Sequence, residues 1–216
     1  EKWPLPEIIL MPYQRITFFA SGKNTHFNDG VNDFYHTNFK LSPSENIALY
    51  NGNEILDSIF ITNDLYFGLS MGKYPDGSIQ WCYFDDPTPN STNTPSICFF
   101  GITNEASLNI ESGWYESEQT ILMEPQANSF IFYTTDGSIP TVDDIPYTQP
   151  FNINENTIIS YRSFSANKLP SKLNDRTFIF EENNHQLPVF SIHTEPNNLW
   201  SDESGIYVSG PNPSQD

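Results

Sequence analysis

The chain has few basic residues and no long apolar run. Its 216 residues include 9 Lys and Arg against 27 Asp and Glu, which gives a formal net charge of −18. A field of this sign repels phosphate backbones, so the composition argues against a nucleic acid partner. No apolar run approaches the roughly 20 residues that span a bilayer, so we expect no membrane span in this chain. The scattered acidic residues are typical of a solvated surface.

Motifs for catalysis and metal binding are also missing. No Gly-x-Ser-x-Gly turn occurs, and no spacing among the acidic residues singles out a glycosidase pair. His36 with Asp33 is the nearest local couple, and we interpret it as a loop contact. The closest carboxylate groupings lack the spacing of a calcium loop. We therefore expect no catalytic residue, no metal ion and no cofactor. The carboxylate groupings are Asp29 with Asp33, Asp85 with Asp86, and Asp143 with Asp144.

Sustained helical periodicity is absent, and the composition favours strands instead. Aromatic residues make up 15% of the chain, and Phe and Tyr favour half-buried pleated surfaces. The chain has 17 Pro and 11 Gly, which together with Asn interrupt it at short intervals. That rhythm is typical of an all-β sandwich or barrel. The sequence therefore predicts an all-β fold.

The pattern of turns divides the chain. Asn51-Gly52 lies between two alternating runs, so residues 46–61 predict a β-hairpin. Residues 24–38 are polar and aromatic without a period and predict a long loop. Residues 87–95 are too polar and proline-rich to bury, and we interpret them as an interdomain linker.

Two later runs also predict local structure. A β-prone run ends at Asp136-Gly137, and Pro140 follows, which together predict a strand that stops at a tight turn. Residues 157–164 predict a strand in which each face has both polar and apolar side chains. We therefore expect one face of this strand to contact water.

The two cysteines, Cys82 and Cys98, lie in separate strand-like runs. Two cysteines alone cannot form a structural zinc site. In an oxidising compartment they can pair, which would close a loop and add roughly 3 kcal/mol of stability. The alternative, which we prefer on residue pattern alone, is that both are buried thiols acting as small hydrophobic side chains.

The first stretch has four segments that match a known pattern: Phe18 to Asn24, His36 to Ser42, Gly72 to Gly77, and Pro87 to Asn90. Together they resemble a lamin-tail domain of the bacterial secreted type, over about residues 1–93. The resemblance implies an immunoglobulin-like β-sandwich. The opening strands of that family have no counterpart here, and a sandwich without them would expose unpaired edges. Either the missing part exists but is not in this sequence, or the sheet is completed by something else.

A second set of segments matches another family. It comprises Ser112-Gly113-Trp114-Tyr115, residues 133–141, Tyr147 and Arg162. This set resembles the small β-sandwich at the C-terminal end of chitobiases and β-hexosaminidases, over about residues 105–182. The resemblance implies an accessory domain without catalytic residues.

A third, shorter match lies near the end of the chain. Residues 187–192, 198–200 and 205–208 look like the opening of a CotH-type domain, a family that includes spore-coat protein kinases. The nucleotide-binding and catalytic residues of that family would lie beyond residue 216, so the resemblance implies no kinase activity within this chain.

These resemblances predict two immunoglobulin-like β-sandwich domains in tandem, at 1–93 and 94–184, followed by the start of a CotH-like domain at 185–216. The predicted function is a non-catalytic accessory, adhesion or spacer segment of a larger exported bacterial protein of the CotH-like class. Its place would be extracellular or at the cell surface. Its partners would be the other domains of the same polypeptide.

The alternative prediction is a carbohydrate-binding module, with a polysaccharide or a cell-surface protein as partner. Sugar faces stack on exposed aromatic rings, and the candidates are Trp81, Tyr83, Trp114 and Tyr115. The opposing interpretation places these rings in the two cores or at the domain interface, because Trp and Tyr are highly buried on average.

Overall fold

The computed structural model describes residues 3–31, 33–63, 65–66, 68–93, 97–181 and 188–208. It divides the chain into two compact units, Glu1–Phe100 and Gly101–Asp216. Both units consist of strands, and one short helix, α1 (Pro196–Trp200), occurs in the described part of the second unit. The prediction of an all-β fold with two bodies in tandem is confirmed. The finer domain limits proposed from the sequence stay predictions.

The first unit contains three small sheets. The first has the order β1-β3-β2, with β1 parallel and β2 antiparallel to β3, and the others are the antiparallel pairs β4-β5 and β6-β7. The strands are β1 (Phe18–Phe19), β2 (Thr25–Asn28), β3 (Asp33–His36), β4 (Asn46–Asn51), β5 (Glu54–Phe60), β6 (Ser70–Lys73) and β7 (Trp81–Phe84).

The hairpin predicted at residues 46–61 is confirmed as β4 and β5, with Gly52 at a φ of +58° in the turn. The loop predicted at residues 24–38 is wrong, because it contains β2 and β3. Cross-strand aromatic pairs hold these two strands together. The rings of His26 and Tyr35 stack with their centroids 4.5 Å apart, and both faces of the pair have aromatic rings, so no alternation marks the strands in the sequence.

A disulfide joins Cys82 of β7 to Cys98, with a Cα–Cα distance of 5.2 Å. The preferred interpretation as two free thiols is therefore wrong. An isolated antiparallel bridge between Tyr83 and Phe99 places the two segments side by side, and the disulfide joins them at this point. Cys82 is buried and contributes to the small core of the first unit together with Phe84 and Tyr35.

The proline-rich segment predicted as a linker is only partly described, because residues 94–95 lie outside the described ranges. The side-chain amide of Asn93 donates to the backbone oxygen of Lys73 at 2.8 Å, and its backbone N–H donates to Asp76 at 3.0 Å. The described part of this segment is therefore tied to the first unit.

The second unit contains a five-stranded sheet and two small sheets. The large sheet has the order β13-β12-β15-β16-β9, and the small sheets are the antiparallel pairs β10-β14 and β11-β8. The strands are β8 (Ser107–Leu108), β9 (Gly113–Trp114), β10 (Gln119–Ile121), β11 (Met123–Glu124), β12 (Phe130–Thr134), β13 (Ile145–Pro146), β14 (Phe151–Ile153), β15 (Thr157–Phe164) and β16 (Asn174–Ile179).

The core of the second unit lies between these sheets. One side comes from the large sheet, with Ile131, Ile159, Tyr161 and Phe178. The other side comes mainly from the small sheets. This is the two-layer arrangement of a β-sandwich, and burial in it raises the pKa of Tyr161. The core residues from the other side are Ile121, Met123 and Ile153.

Candidate functional site

The outer face of the five-stranded sheet, which faces away from the core, has a shallow groove of about 360 Å³ where β15, β16 and β9 lie side by side. Its lining combines an indole ring, aliphatic side chains and a polar pair, a mixture typical of small-ligand surfaces. The lining includes Trp114, Asn156, Ile158, Ile179, Glu181 and Val189.

The strand pairing explains why Trp114 lies in this groove. β9 runs parallel to β16, with Gly113 opposite Phe178 and Trp114 opposite Ile179. Successive side chains of a strand point to opposite faces. Since Phe178 is buried in the core, Ile179 and its partner Trp114 point to the outer face.

The neighbouring ring, Tyr115, serves the core instead. It packs against Phe178 and Phe180 with centroid distances of 5.9 and 6.0 Å. Its hydroxyl donates to the backbone oxygen of Glu111 at 2.6 Å. The sequence placed Trp114 and Tyr115 together as candidates, and the fold puts Tyr115 on the core and Trp114 in the groove.

The polar pair of the groove is Asn156 with Glu181. The amide nitrogen of Asn156 donates to Glu181 at 2.6 Å, and its amide oxygen accepts from the backbone N–H of Phe180 at 2.7 Å. These bonds fix the orientation of the Asn156 amide. A fixed carboxylate and amide beside an indole ring match the hydroxyl groups and apolar face of a sugar ring.

The other two candidates, Trp81 and Tyr83, lie in the first unit. They occupy one face of β7, and the buried Cys82 and Phe84 occupy the other. The ammonium of Lys73 lies 5.4 Å from the centroid of the Trp81 ring, a cation–π contact. The Tyr83 hydroxyl lies 3.1 Å from the Thr62 hydroxyl. Both rings are half-buried, and each has a polar neighbour.

The turn at residues 135–138 follows β12 as predicted. Gly137 has a φ of +85°, which favours glycine, and the Asp136 carboxylate accepts from the backbone N–H and the hydroxyl of Ser138 at 3.0 and 2.6 Å. These hydrogen bonds lower the pKa of Asp136. The Thr134 hydroxyl donates to the backbone oxygen of Ser138 at 2.7 Å, so the motif closes a turn with its own side chains.

Residues 188–195, which we name the strap, contact the same outer face. The hydroxyl of Thr177 on β16 lies 2.6 Å from Nε2 of His193 and 2.8 Å from the Ser191 hydroxyl. On the sheet, the Ser160 hydroxyl donates to Asp175 at 2.6 Å, and Asp175 faces Nδ1 of His193 at 3.8 Å. Ser160 has no exposed surface, so the prediction of a water-contacting face on β15 is wrong at this position.

This polar cluster contains the residue types of a Ser–His–Asp triad but not its geometry. The Asp175–His193 distance of 3.8 Å exceeds a hydrogen bond. Thr177 and Ser191 both approach the same Nε2 atom, so the base is shared between two hydroxyls. These side chains form hydrogen bonds with one another between the strap and the sheet. We therefore assign the cluster a structural role.

Metal and membrane features are absent from the described parts of the chain. Within the ranges that the structure describes, no group of three or more His, Cys, Asp or Glu residues could hold a metal ion. No helix among the described residues has the length and apolar character needed to cross a membrane.

The geometry of the second unit agrees with a comparison of its sequence. Residues 110–173 match the family model of the Chitobiase/beta-hexosaminidase C-terminal domain. The domain described by that model is a non-catalytic accessory domain with an immunoglobulin-like β-sandwich fold. Neither a curated protein nor a solved structure matches the chain.

The match covers less than half of the chain. Trp114, Tyr115 and the turn at residues 135–138 fall inside the matched region, whereas Trp81 and Tyr83 fall outside it. The side of the groove formed by β16 and the strap also lies beyond residue 173. The groove is therefore built from the matched region together with the segments that follow it.

Proposed function

We propose that the chain is a non-catalytic accessory or spacer segment of a larger exported bacterial protein. The observation that supports this most is the match of residues 110–173 to an accessory domain. The polar cluster on the outer face supports it further, because its hydroxyls and imidazole bond to one another. The partners would be other domains of the same polypeptide.

Export is supported by the chemistry of the first unit. Disulfides form and persist in oxidising compartments, and Cys82 and Cys98 are joined by one. Together with the lamin-tail resemblance of residues 1–93, this favours an extracellular or cell-surface place. The CotH-like resemblance near the C-terminus suggests the class of the whole protein. Part of that segment, residues 185–187 and 209–216, lies outside the described residues.

The test is a search for turnover. We expect the purified chain to release no product from chitin oligosaccharides and to transfer no phosphate from γ-labelled ATP, because the hydroxyls and the imidazole of the outer-face cluster, in the part of the chain that the structure describes, bond to one another. Product analysis by chromatography checks both reactions. Turnover that rises in proportion to chain concentration and survives repurification would refute the proposal.

A second candidate function, carbohydrate binding, is favoured by the groove at Trp114. The indole ring and the Asn156–Glu181 pair supply a stacking face and fixed polar groups within one surface. The match to a chitobiase-type domain suggests chitin oligosaccharides as the ligand class. Under this hypothesis Trp81 and Tyr83 of the first unit, and Tyr115 on the core, would contribute little.

Calorimetric titration with chitin oligosaccharides tests the second function. We expect Trp114→Ala to weaken binding about tenfold, since loss of a ring stack is worth about 1 kcal/mol or slightly more. The matched control is Trp81→Ala, which removes an indole from the first unit and should leave the affinity unchanged. No measurable binding by the unaltered chain, or equal affinity in the Trp114 variant, would exclude the groove as a sugar site.

A further inference from the structure

The strap contacts the sheet with one face of an extended chain. Val189 lines the groove, Ser191 and His193 contact Thr177, and Glu195 follows two residues later. Phe190 and Ile192, on the alternate positions, are 86% and 83% exposed. Three of the four sheet-facing positions are polar, and the two apolar side chains between them face water, so hydrogen bonds contribute more than apolar burial to the contact of the strap with the sheet.

The strap is held at two separate places. At the first, Ser191 and His193 contact the hydroxyl of Thr177 on β16. At the second, the Glu195 carboxylate accepts from the backbone N–H of Ile139 at 2.6 Å, just beyond the turn that follows β12. Attachment at both places fixes the direction of the segment as well as its position.

The segment directly after the strap has a defined backbone conformation held by hydrogen bonds. The backbone folds back after α1, where the N–H groups of Ile206 and Tyr207 donate to the backbone oxygens of Asn198 and Leu199, each at 3.0 Å. A Cβ at Gly205 would lie 2.6 Å from the backbone nitrogen of Ser201, so this fold-back requires glycine. Side chains link it to the strap, because the Asn198 amide donates to the Thr194 hydroxyl at 2.6 Å.

We propose that the outer face of the five-stranded sheet is a docking surface for the chain's own strap, and that this contact fixes the direction in which the polypeptide leaves the sandwich. The occupant is residues 188–195, recognised through Ser191, His193 and Glu195. The second unit would therefore hold the following segment rigidly, as an orienting module and not as a flexible tether. This deepens the spacer function and rests on it.

The test uses the Ile139 amide as a reporter of docking in the full chain. Thr177→Val removes the hydroxyl that meets Ser191 and His193, keeps the side-chain shape, and does not touch Ile139. If the strap docks as one unit, loss of the Thr177 hydroxyl should also weaken the contact between Glu195 and the Ile139 amide. Hydrogen exchange at Ile139 should then be about threefold to tenfold faster, which is the effect of one hydrogen bond. Nuclear magnetic resonance of the labelled chain measures this rate.

Two variants calibrate the experiment. Glu195→Ala removes the acceptor itself and gives the rate expected for a released strap. Thr120→Val is the matched control, because its hydroxyl donates to Asn152 and not to the strap. Exchange at Ile131 and Ile159, in the core, should be unchanged in all three variants, which shows that the sandwich remains folded.

Backbone order parameters complete the test. Residues of α1 should have values near 0.85 in the unaltered chain, as in a rigid backbone, and lower values in Thr177→Val. An unchanged Ile139 rate in Thr177→Val, or values below about 0.6 at α1 in the unaltered chain, would overturn the docking proposal. The turnover assay is separate, so a failure of the strap and a failure of the non-catalytic role give distinct results.

Discussion

Phe178→Ala is expected to lower the free energy of unfolding of the second unit by about 3–5 kcal/mol, the usual cost of deleting a buried phenylalanine. Phe178 has no exposed surface and belongs to the core cluster between the two layers. Its ring contacts Tyr115, and the variant would leave a cavity next to that ring. Because domains are stable by only about 5–15 kcal/mol, this loss should be visible as a large fall in the urea midpoint.

The matched control is Phe130→Ala on β12 of the same sheet. Phe130 is 72% exposed, so its truncation should change the free energy of unfolding by no more than about 0.5 kcal/mol. Circular dichroism during urea unfolding measures both variants. Similar losses for Phe130 and Phe178 would mean that the assigned faces of the sheet are wrong.

Reduction of the Cys82–Cys98 disulfide is expected to remove roughly 3 kcal/mol from the stability of the first unit. The two residues are 16 positions apart. Opening a loop of this length raises the entropy of the unfolded chain, which lowers the free energy of unfolding by roughly 3 kcal/mol. The small sheets of this unit have few buried residues to compensate. Urea unfolding with and without a phosphine reductant measures the difference.

The control for reduction is the double variant Cys82→Ala with Cys98→Ala, which should not respond to the reductant. Amide exchange locates the effect: β7 should exchange faster after reduction, while β12 and β15 in the second unit should not change. A reductant effect of the same size in the double variant would show that the loss does not come from the disulfide.

Turn chemistry was the part of the fold that the sequence predicted best. Asn51-Gly52 and Asp136-Gly137 each specify a turn through residues that tolerate positive φ, and both turns occur. The strands β9 and β13 have two residues each and show no alternation, so pattern alone could not find them. β2 and β3 were missed because aromatic rings lie on both faces of the pair.

The candidate site was predictable only in part. The aromatic motif pointed to Trp114 and Tyr115 together, but the register of β9 against β16 decides which ring faces outward. The role of the strap depends on tertiary contact, because residues 189–193 belong to no strand in the structure and contact the sheet through side chains. The period-two spacing of Ser191, His193 and Glu195 was the available signal.

One nuclear magnetic resonance experiment tests most directly whether the chain positions other domains or performs a reaction. The sample contains the isotope-labelled chain with an unlabelled chitin oligosaccharide and ATP, and the signals of both small molecules are followed over time. We predict that the sugar anomeric signals and the nucleotide phosphate signals keep their intensities throughout. Binding, if present, would shift only signals of the groove around Trp114. Product signals that grow with time and with chain concentration would contradict a non-catalytic role.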